Sequence, residues 1–166
     1  LKAAVPQSPM VDGWMGDDWF HNGAFRQTNF DYVTSITVNA GDGDNVPNGT
    51  GDDYVTFLKA GSAGDYARKF GLDTFPFAQK WFQHPAYDEF WSLQAVDKWV
   101  AAHPVTVPTM LVVGQWDQED SYGAPKVFHA LEDKPGAKDK VHLVIGPWRH
   151  SGVNYIGDHL GPYLLP

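Results

Sequence analysis

Two short apolar runs, each followed at once by a polar loop, constrain the fold of this chain more than any other feature. The runs cover 109–113 and 141–145, and both are rich in branched side chains and too short for a helix, so each predicts a buried strand. Residues 124–132 between them predict a helix. A strand, a helix and a strand in this order bring the carboxyl ends of parallel strands to one edge of a sheet. The sequence therefore predicts that Asp117 and His150, one in each loop, lie at the same edge.

An acid followed by a histidine, each after a strand, is typical of the later part of a Ser-Asp-His triad in the chain order of α/β hydrolases. In such a triad the carboxylate fixes the histidine tautomer and stabilises the imidazolium that forms when the histidine takes the proton of the nucleophile. Asp117 and His150 are therefore candidate catalytic residues. The nucleophile itself is not evident in the sequence.

Ser62 is the serine whose context comes nearest to a nucleophile elbow, in the string Ala-Gly-Ser-Ala-Gly at 60–64. An elbow needs a buried strand before the serine, whereas residues 53–59 predict a helix. Gly61 is better interpreted as the stop of that helix. A self-contained small esterase that uses Ser62 stays an alternative.

Acidic residues are dense after the first predicted strand. Asp117, Glu119 and Asp120 fall within four residues, and Asp17 and Asp18 form a second acidic pair earlier in the chain. A solvated loop, a site for a hard cation and a pocket for a substrate ammonium group would each explain such a cluster. Sequence spacing does not choose among the three.

The composition excludes several classes of function. The formal net charge is −8 and the chain has no basic run, which argues against a nucleic-acid or anionic-membrane partner. The chain has no cysteine, so a disulfide scaffold, a thiol nucleophile and thiolate metal sites are excluded.

The chain changes character along its length. Residues 1–12 predict a core strand and its exit loop, 13–104 an aromatic and mainly helical insertion that forms a cap, and 105–166 a further part of an α/β core. Within the insertion the sequence predicts helices at 30–37, 53–59, 64–70, 75–83 and 89–102. In the last region it predicts strands at 105–113 and 140–145.

Three strings of residues, at 8–19, 114–122 and 146–152, carry a family resemblance. The chain resembles the α-amino-acid ester hydrolases, within the serine hydrolases that include cocaine esterases, glutaryl acylases and X-prolyl dipeptidyl peptidases. The string Trp-Asp-Gln-Glu-Asp that begins at Trp116 is the part most specific to the amino-ester branch.

The resemblance implies an α/β-hydrolase core, only part of which is present, with a mainly helical cap insertion. Asp117 is then similar to the triad acid and His150 to the triad base, while Asp18, Glu119 and Asp120 are similar to the carboxylates that bind the α-ammonium group of the substrate. Family members act on α-amino acid esters and amides and transfer the acyl group to water or to β-lactam nuclei. No resident metal and no cofactor are expected.

The resemblance also implies what lies outside this sequence. In the family the serine elbow and a tyrosine of the oxyanion hole lie upstream of the first strand seen here, and a β-rich domain follows downstream. We therefore expect the chain to be the central fragment of such an enzyme and to be inactive alone. The whole protein is expected to be a homo-oligomer that is exported to the periplasm or secreted. A non-catalytic amine-binding module is a further alternative.

Overall fold

The computed structural model describes residues 1–30, 32, 51–155, 158–160 and 162–164. The chain divides into two compact units, one formed by Leu1–Asn22 with Glu89–Pro166 and the other by Gly23–Asp88. The predicted cap, 13–104, extends beyond the second unit at both ends, and its role as a cap stays a prediction. Most of the predicted helix 30–37 lies outside the described residues. Within the described ranges, no helix combines the length and the apolar character needed to cross a membrane.

The first unit is built on two parallel strands, which we call the acid strand, Thr109–Gly114, and the histidine strand, Val141–Gly146. They pair in register from Thr109 opposite Val141 to Gly114 opposite Gly146. The helix Gly123–Leu131, here the crossover helix, connects them. The predicted strand, helix and strand are confirmed, although the acid strand begins four residues later than predicted.

The first residues of the chain run beside the acid strand on its other side. Ala4 forms a parallel bridge with Thr109, and Gln7 forms one with Val112. The pairing is confined to isolated bridges because Pro6 between them has no backbone N–H to donate. The acid strand therefore lies between the N-terminal segment and the histidine strand.

The crossover helix covers the buried face of this small sheet. Leu111 and Val113 of the acid strand are almost completely buried, and each such aliphatic side chain stabilises the fold by about 1.5–3 kcal/mol. The buried cluster comprises Val11, Leu111, Val113, Ala124, Val127, Leu131, Ala137 and Val141. The histidine strand is less buried than the sequence predicts, because Val144 and Ile145 are exposed. The acid strand is thus the rigid centre of the sheet, and the loop that carries Asp117 follows it directly.

The predicted helix 89–102 is divided in two. The structure has Glu89–Ser92 and Val96–Ala101 as separate helices. At the break, the backbone N–H of Val96 donates to the carbonyl oxygen of Val11 at 2.9 Å, outside the helical pattern. A tertiary hydrogen bond therefore replaces the helix continuation that local propensity favours.

The second unit is helical with an aromatic core. It contains the short strand Ala24–Phe25, the helices Asp53–Ala60, Ala63–Phe70 and Pro76–Gln83, and a 3₁₀ turn at Leu72–Thr74. Phe30 lies at the centre, with ring centroids 5.6 Å from Tyr66 and 5.5 Å from Trp81. All three side chains are at most 2% exposed, so these aromatic residues form core.

Candidate active site

Asp117 lies just beyond the acid strand and is held by three hydrogen bonds. Its Oδ1 accepts from the backbone N–H groups of Glu119 and Asp120, both at 2.9 Å. Its Oδ2 accepts from the hydroxyl of Ser8 at 2.6 Å. The residue is only 6% exposed, so the carboxylate has a fixed orientation in a mostly dry environment.

The loop at 147–152 that follows the histidine strand, here called the histidine loop, brings His150 onto this carboxylate. The Nδ1 atom of His150 lies 3.1 Å from both Oδ1 and Oδ2 of Asp117. The two loops are joined by backbone hydrogen bonds, from Gln115 to Gly146 at 2.8 Å and from Trp116 to Trp148 at 3.2 Å. The structure therefore brings together the acid and the histidine that the sequence singled out. With Nδ1 directed at the carboxylate, Nε2 is the ring nitrogen left to exchange a proton with a nucleophile.

The hydrogen bonds to Asp117 favour its ionised form. Burial alone would raise the pKa of this carboxyl. The hydroxyl of Ser8, the N–H groups of Asp120 and Glu119 and the nearby His150 outweigh burial and hold the pKa below its usual value of 3.8. Asp117 is therefore a carboxylate under the conditions in which a histidine acts as a base.

The three predicted amine-binding carboxylates also meet. One oxygen each from Asp18, Glu119 and Asp120 lie within 4.8 Å of one another. Asp18 and Glu119 are half-buried, whereas Asp120 is 3% exposed. The Oδ2 atom of Asp120 lies 3.5 Å from Nδ1 of His150, so this carboxylate cluster is next to the acid–histidine pair.

Asp120 is destabilised in its charged form by its surroundings. Burial, followed by the charges of Asp18, Asp17, Asp117 and Glu119, raises its pKa to about 8. Its Oδ1 is buried and accepts no hydrogen bond from the described residues. A bound cation would supply the missing positive charge at this position.

Asp17 has a different role from its neighbour Asp18. Its side chain is completely buried, and Oδ2 accepts from the backbone N–H groups of Val11 and Asp12, both at 2.8 Å. Its Oδ1 accepts from the N–H of Gly123 at 3.0 Å, at the start of the crossover helix. Although burial raises its pKa to about 6, these N–H groups oppose that rise. Asp17 thus anchors the loop that carries Asp18.

Ser62 is not on a nucleophile elbow. It lies in the second unit and follows the helix Asp53–Ala60, where an elbow needs a strand. Its hydroxyl donates to Asp65 at 2.7 Å and accepts from the Asp65 N–H at 3.1 Å, a capping box at the start of the helix Ala63–Phe70. The local geometry that the self-contained esterase requires is therefore absent at Ser62.

The conformation of the histidine loop depends on two glycines, because neither position has room for a side chain. A Cβ at Gly146 would lie 1.8 Å from the indole ring of Trp148, and one at Gly114 would lie 2.2 Å from the Trp148 carbonyl oxygen. Both distances are far below a van der Waals contact, so either side chain would displace Trp148. His150 is two residues further along the same loop and would move with it.

We therefore expect Gly146→Ala to lower both stability and activity. Overpacking should reduce the free energy of unfolding by about 1–3 kcal/mol, and misplacing His150 should lower kcat by at least about tenfold. Denaturant unfolding and steady-state kinetics of the complete protein measure the two effects. Gly64→Ala is the matched control, because the nearest atoms to a Cβ there are the end of the flexible Arg68 side chain at 3.4 Å and the Ser62 hydroxyl at 3.8 Å. Equal behaviour of the two variants would contradict the packing argument.

Comparisons with known proteins agree on one family. Residues 1–152 match the model of the X-Pro dipeptidyl-peptidase (S15 family). A solved α-amino acid ester hydrolase, labelled with selenomethionine, is 51% identical with a TM-score of 0.95. A solved aminopeptidase from the marine sediment archaeon Thaumarchaeota archaeon is 44% identical with a TM-score of 0.94. No curated protein matches the chain.

Both solved structures cover 100% of this chain, and the chain spans 27% of each of them. These similarities confirm the resemblance stated from the sequence, and with it the partial α/β-hydrolase core. The family comprises hydrolases of esters and peptides. The chain belongs to the X-Pro dipeptidyl-peptidase (S15) family.

Proposed function

We propose that the complete protein hydrolyses α-amino acid esters and amides. In this proposal the chain supplies Asp117 as the triad acid, His150 as the triad base and the amine-binding carboxylates. The observation that carries the proposal is the position of His150. Its Nδ1 lies 3.1 Å from Asp117 and 3.5 Å from Asp120, which belongs to the carboxylate cluster. A proton-transfer group and a site for a positive charge are thus direct neighbours.

In the proposed reaction a serine attacks the carbonyl carbon of the substrate, and we take this serine to lie upstream of residue 1, as the family resemblance implies. His150 takes the serine proton at Nε2, and Asp117 stabilises the imidazolium through Nδ1. His150 then passes the proton to the leaving alcohol or amine as the bond between this group and the carbonyl carbon breaks. Water attacks the acyl-enzyme with the same help from His150, which releases the acid and restores the serine.

The carboxylate cluster would select substrates that carry an α-ammonium group. Asp18, Glu119 and Asp120 offer oxygens close enough to surround one positive charge. Because the pKa of Asp120 is raised to about 8, the empty site holds a proton on this residue at neutral pH. A bound ammonium group would stabilise the ionised form, so amine binding would release that proton. We also propose that the acyl group can be transferred to a β-lactam amine, and this narrower proposal is supported by the family resemblance. The same resemblance supports the proposal that the whole protein forms a homo-oligomer.

The test compares an α-amino acid ester with the matching ester that lacks the amine. Glu119→Gln in the complete protein removes one carboxylate and should lower kcat/KM for the amino ester by about 10–100-fold, the value of one charge-assisted contact. The amine-free ester should lose less than about threefold, because its acyl chemistry is unchanged.

Asp139→Asn, an exposed aspartate outside the site, should leave both rates near those of the parent. If Glu119→Gln lowers the two rates by the same factor, the carboxylates do not read the amine. If the parent shows no preference for the amino ester, the proposed substrate class is wrong.

A further inference from the structure

We propose that Ser8 is a positioning residue for Asp117, the proposed triad acid. Its hydroxyl donates to Oδ2 of Asp117 at 2.6 Å, in a buried contact between residues 109 positions apart in the sequence. Through Asp117 it would set the orientation of His150. The inference rests on the proposed function, because it assigns Asp117 to the triad.

The backbone of Ser8 shows that the hydroxyl is retained against a conformational cost. Ser8 has φ of 43°, in the left-handed region where a Cβ is unfavourable and glycine is preferred. A glycine would adopt this turn without that cost, but it would offer no side-chain donor. Non-glycine residues in this region tend to be found where function requires the side chain.

Ser8 also connects the carboxylate to the sheet. Its backbone N–H donates to the carbonyl oxygen of Val112 in the acid strand at 2.8 Å, at the end of the N-terminal bridges. The backbone donors to Oδ1 belong to Glu119 and Asp120, in the same loop as Asp117, and would move with it. Ser8 therefore ties Oδ2 to a rigid element that is independent of the loop.

The hydroxyl also affects the charge that His150 meets. It draws on the negative charge of Oδ2, and without it more of that charge would be available to an imidazolium at Nδ1. The carboxyl groups described beside this pair include Asp120, at 3.5 Å from Nδ1, and its neighbours Asp18 and Glu119. They stay unchanged when Ser8 is replaced. Removing the hydroxyl should therefore change the interaction between Asp117 and His150 while these neighbouring carboxyl groups stay in place.

Ser8→Gly in the complete protein is the decisive variant, since it removes the hydroxyl and also relieves the backbone strain. We expect kcat for an ester substrate to fall by about tenfold, the value of one hydrogen bond to a charged group, with KM nearly unchanged. The melting temperature should stay close to that of the parent, whereas Ser8→Ala should show the same kinetics with lower stability.

Ser121→Ala is the matched control, because Ser121 is an exposed serine in the loop between the acid strand and the crossover helix, and it should leave the kinetics unchanged. A Ser8→Gly protein that keeps the parent kcat would overturn the assignment. A loss of stability without a fall in kcat would also overturn it, because a purely structural residue behaves in this way. An active His150→Ala protein would instead show that the proposed function is wrong, independently of Ser8.

Discussion

Replacing His150 by alanine in the complete protein is expected to lower kcat for an α-amino acid ester by about 10⁴-fold or more. On the proposed mechanism the variant lacks the base that takes the serine proton and the acid that protonates the leaving group. Substrate binding should change little, because the proposed ammonium site of Asp18, Glu119 and Asp120 is left intact. Steady-state kinetics should therefore show a fall in kcat with a nearly constant KM.

Two further variants sharpen this test. Asp117→Asn should cost a similar factor, and adding it to His150→Ala should lower kcat little further, since the two side chains act as one unit at 3.1 Å. His129→Ala is the control, because His129 also pairs with a carboxylate, Glu132 at 2.6 Å, but its side chain is 69% exposed on the crossover helix. An independent, multiplicative loss in the double variant would count against a shared mechanism for Asp117 and His150.

The acid–histidine pair could be predicted because its geometry follows from local patterns. Short apolar runs predict strands, a helix between them makes the strands parallel, and parallel strands end at one edge. Asp117 and His150 follow these strands at nearly the same distance, so their approach needs no long-range information. The prediction that Glu119 and Asp120 form one site with Asp18 came from the family resemblance. Spacing alone left a solvated loop, a cation site and an ammonium pocket open.

Ser8 and Asp17 could not be found in this way. Ser8 meets Asp117 across 109 positions, and Asp17 meets Gly123 across 106, through pairings that no local periodicity encodes. The N-terminal segment must first lie beside the acid strand before Ser8 has any partner. The broken helix at 93–95 has the same origin, because the hydrogen bond from Val96 to Val11 is tertiary. What local sequence misses here is the set of contacts that the N-terminal segment makes with the core.

Replacing Asp120 by asparagine is expected to stabilise the protein at pH 8 by on the order of a few kcal/mol while weakening its action on amino esters. Asp120 has a pKa of about 8 in the folded protein against an ordinary value of 3.8. Between these values the folded state keeps a proton that the unfolded chain has lost, so the stability of the parent falls as the pH rises from about 4 to about 8. Asparagine does not ionise, and its advantage should therefore grow across this range and level off above it.

The free energy of unfolding at pH 5 and at pH 8, measured by denaturant titration, gives the sign and size of this effect. The gain at pH 8 should exceed the gain at pH 5, and Asp139→Asn should show little change at either pH. A flat difference between the pH values would mean that Asp120 is not strained in its charged form. In the proposed ammonium site, a bound substrate would supply the positive charge that the described residues do not place beside this buried carboxylate. Asp120→Asn should therefore lower kcat/KM for the amino ester more than for the amine-free ester. The same substitution is thus expected to raise the free energy of unfolding and to lower activity on amino esters.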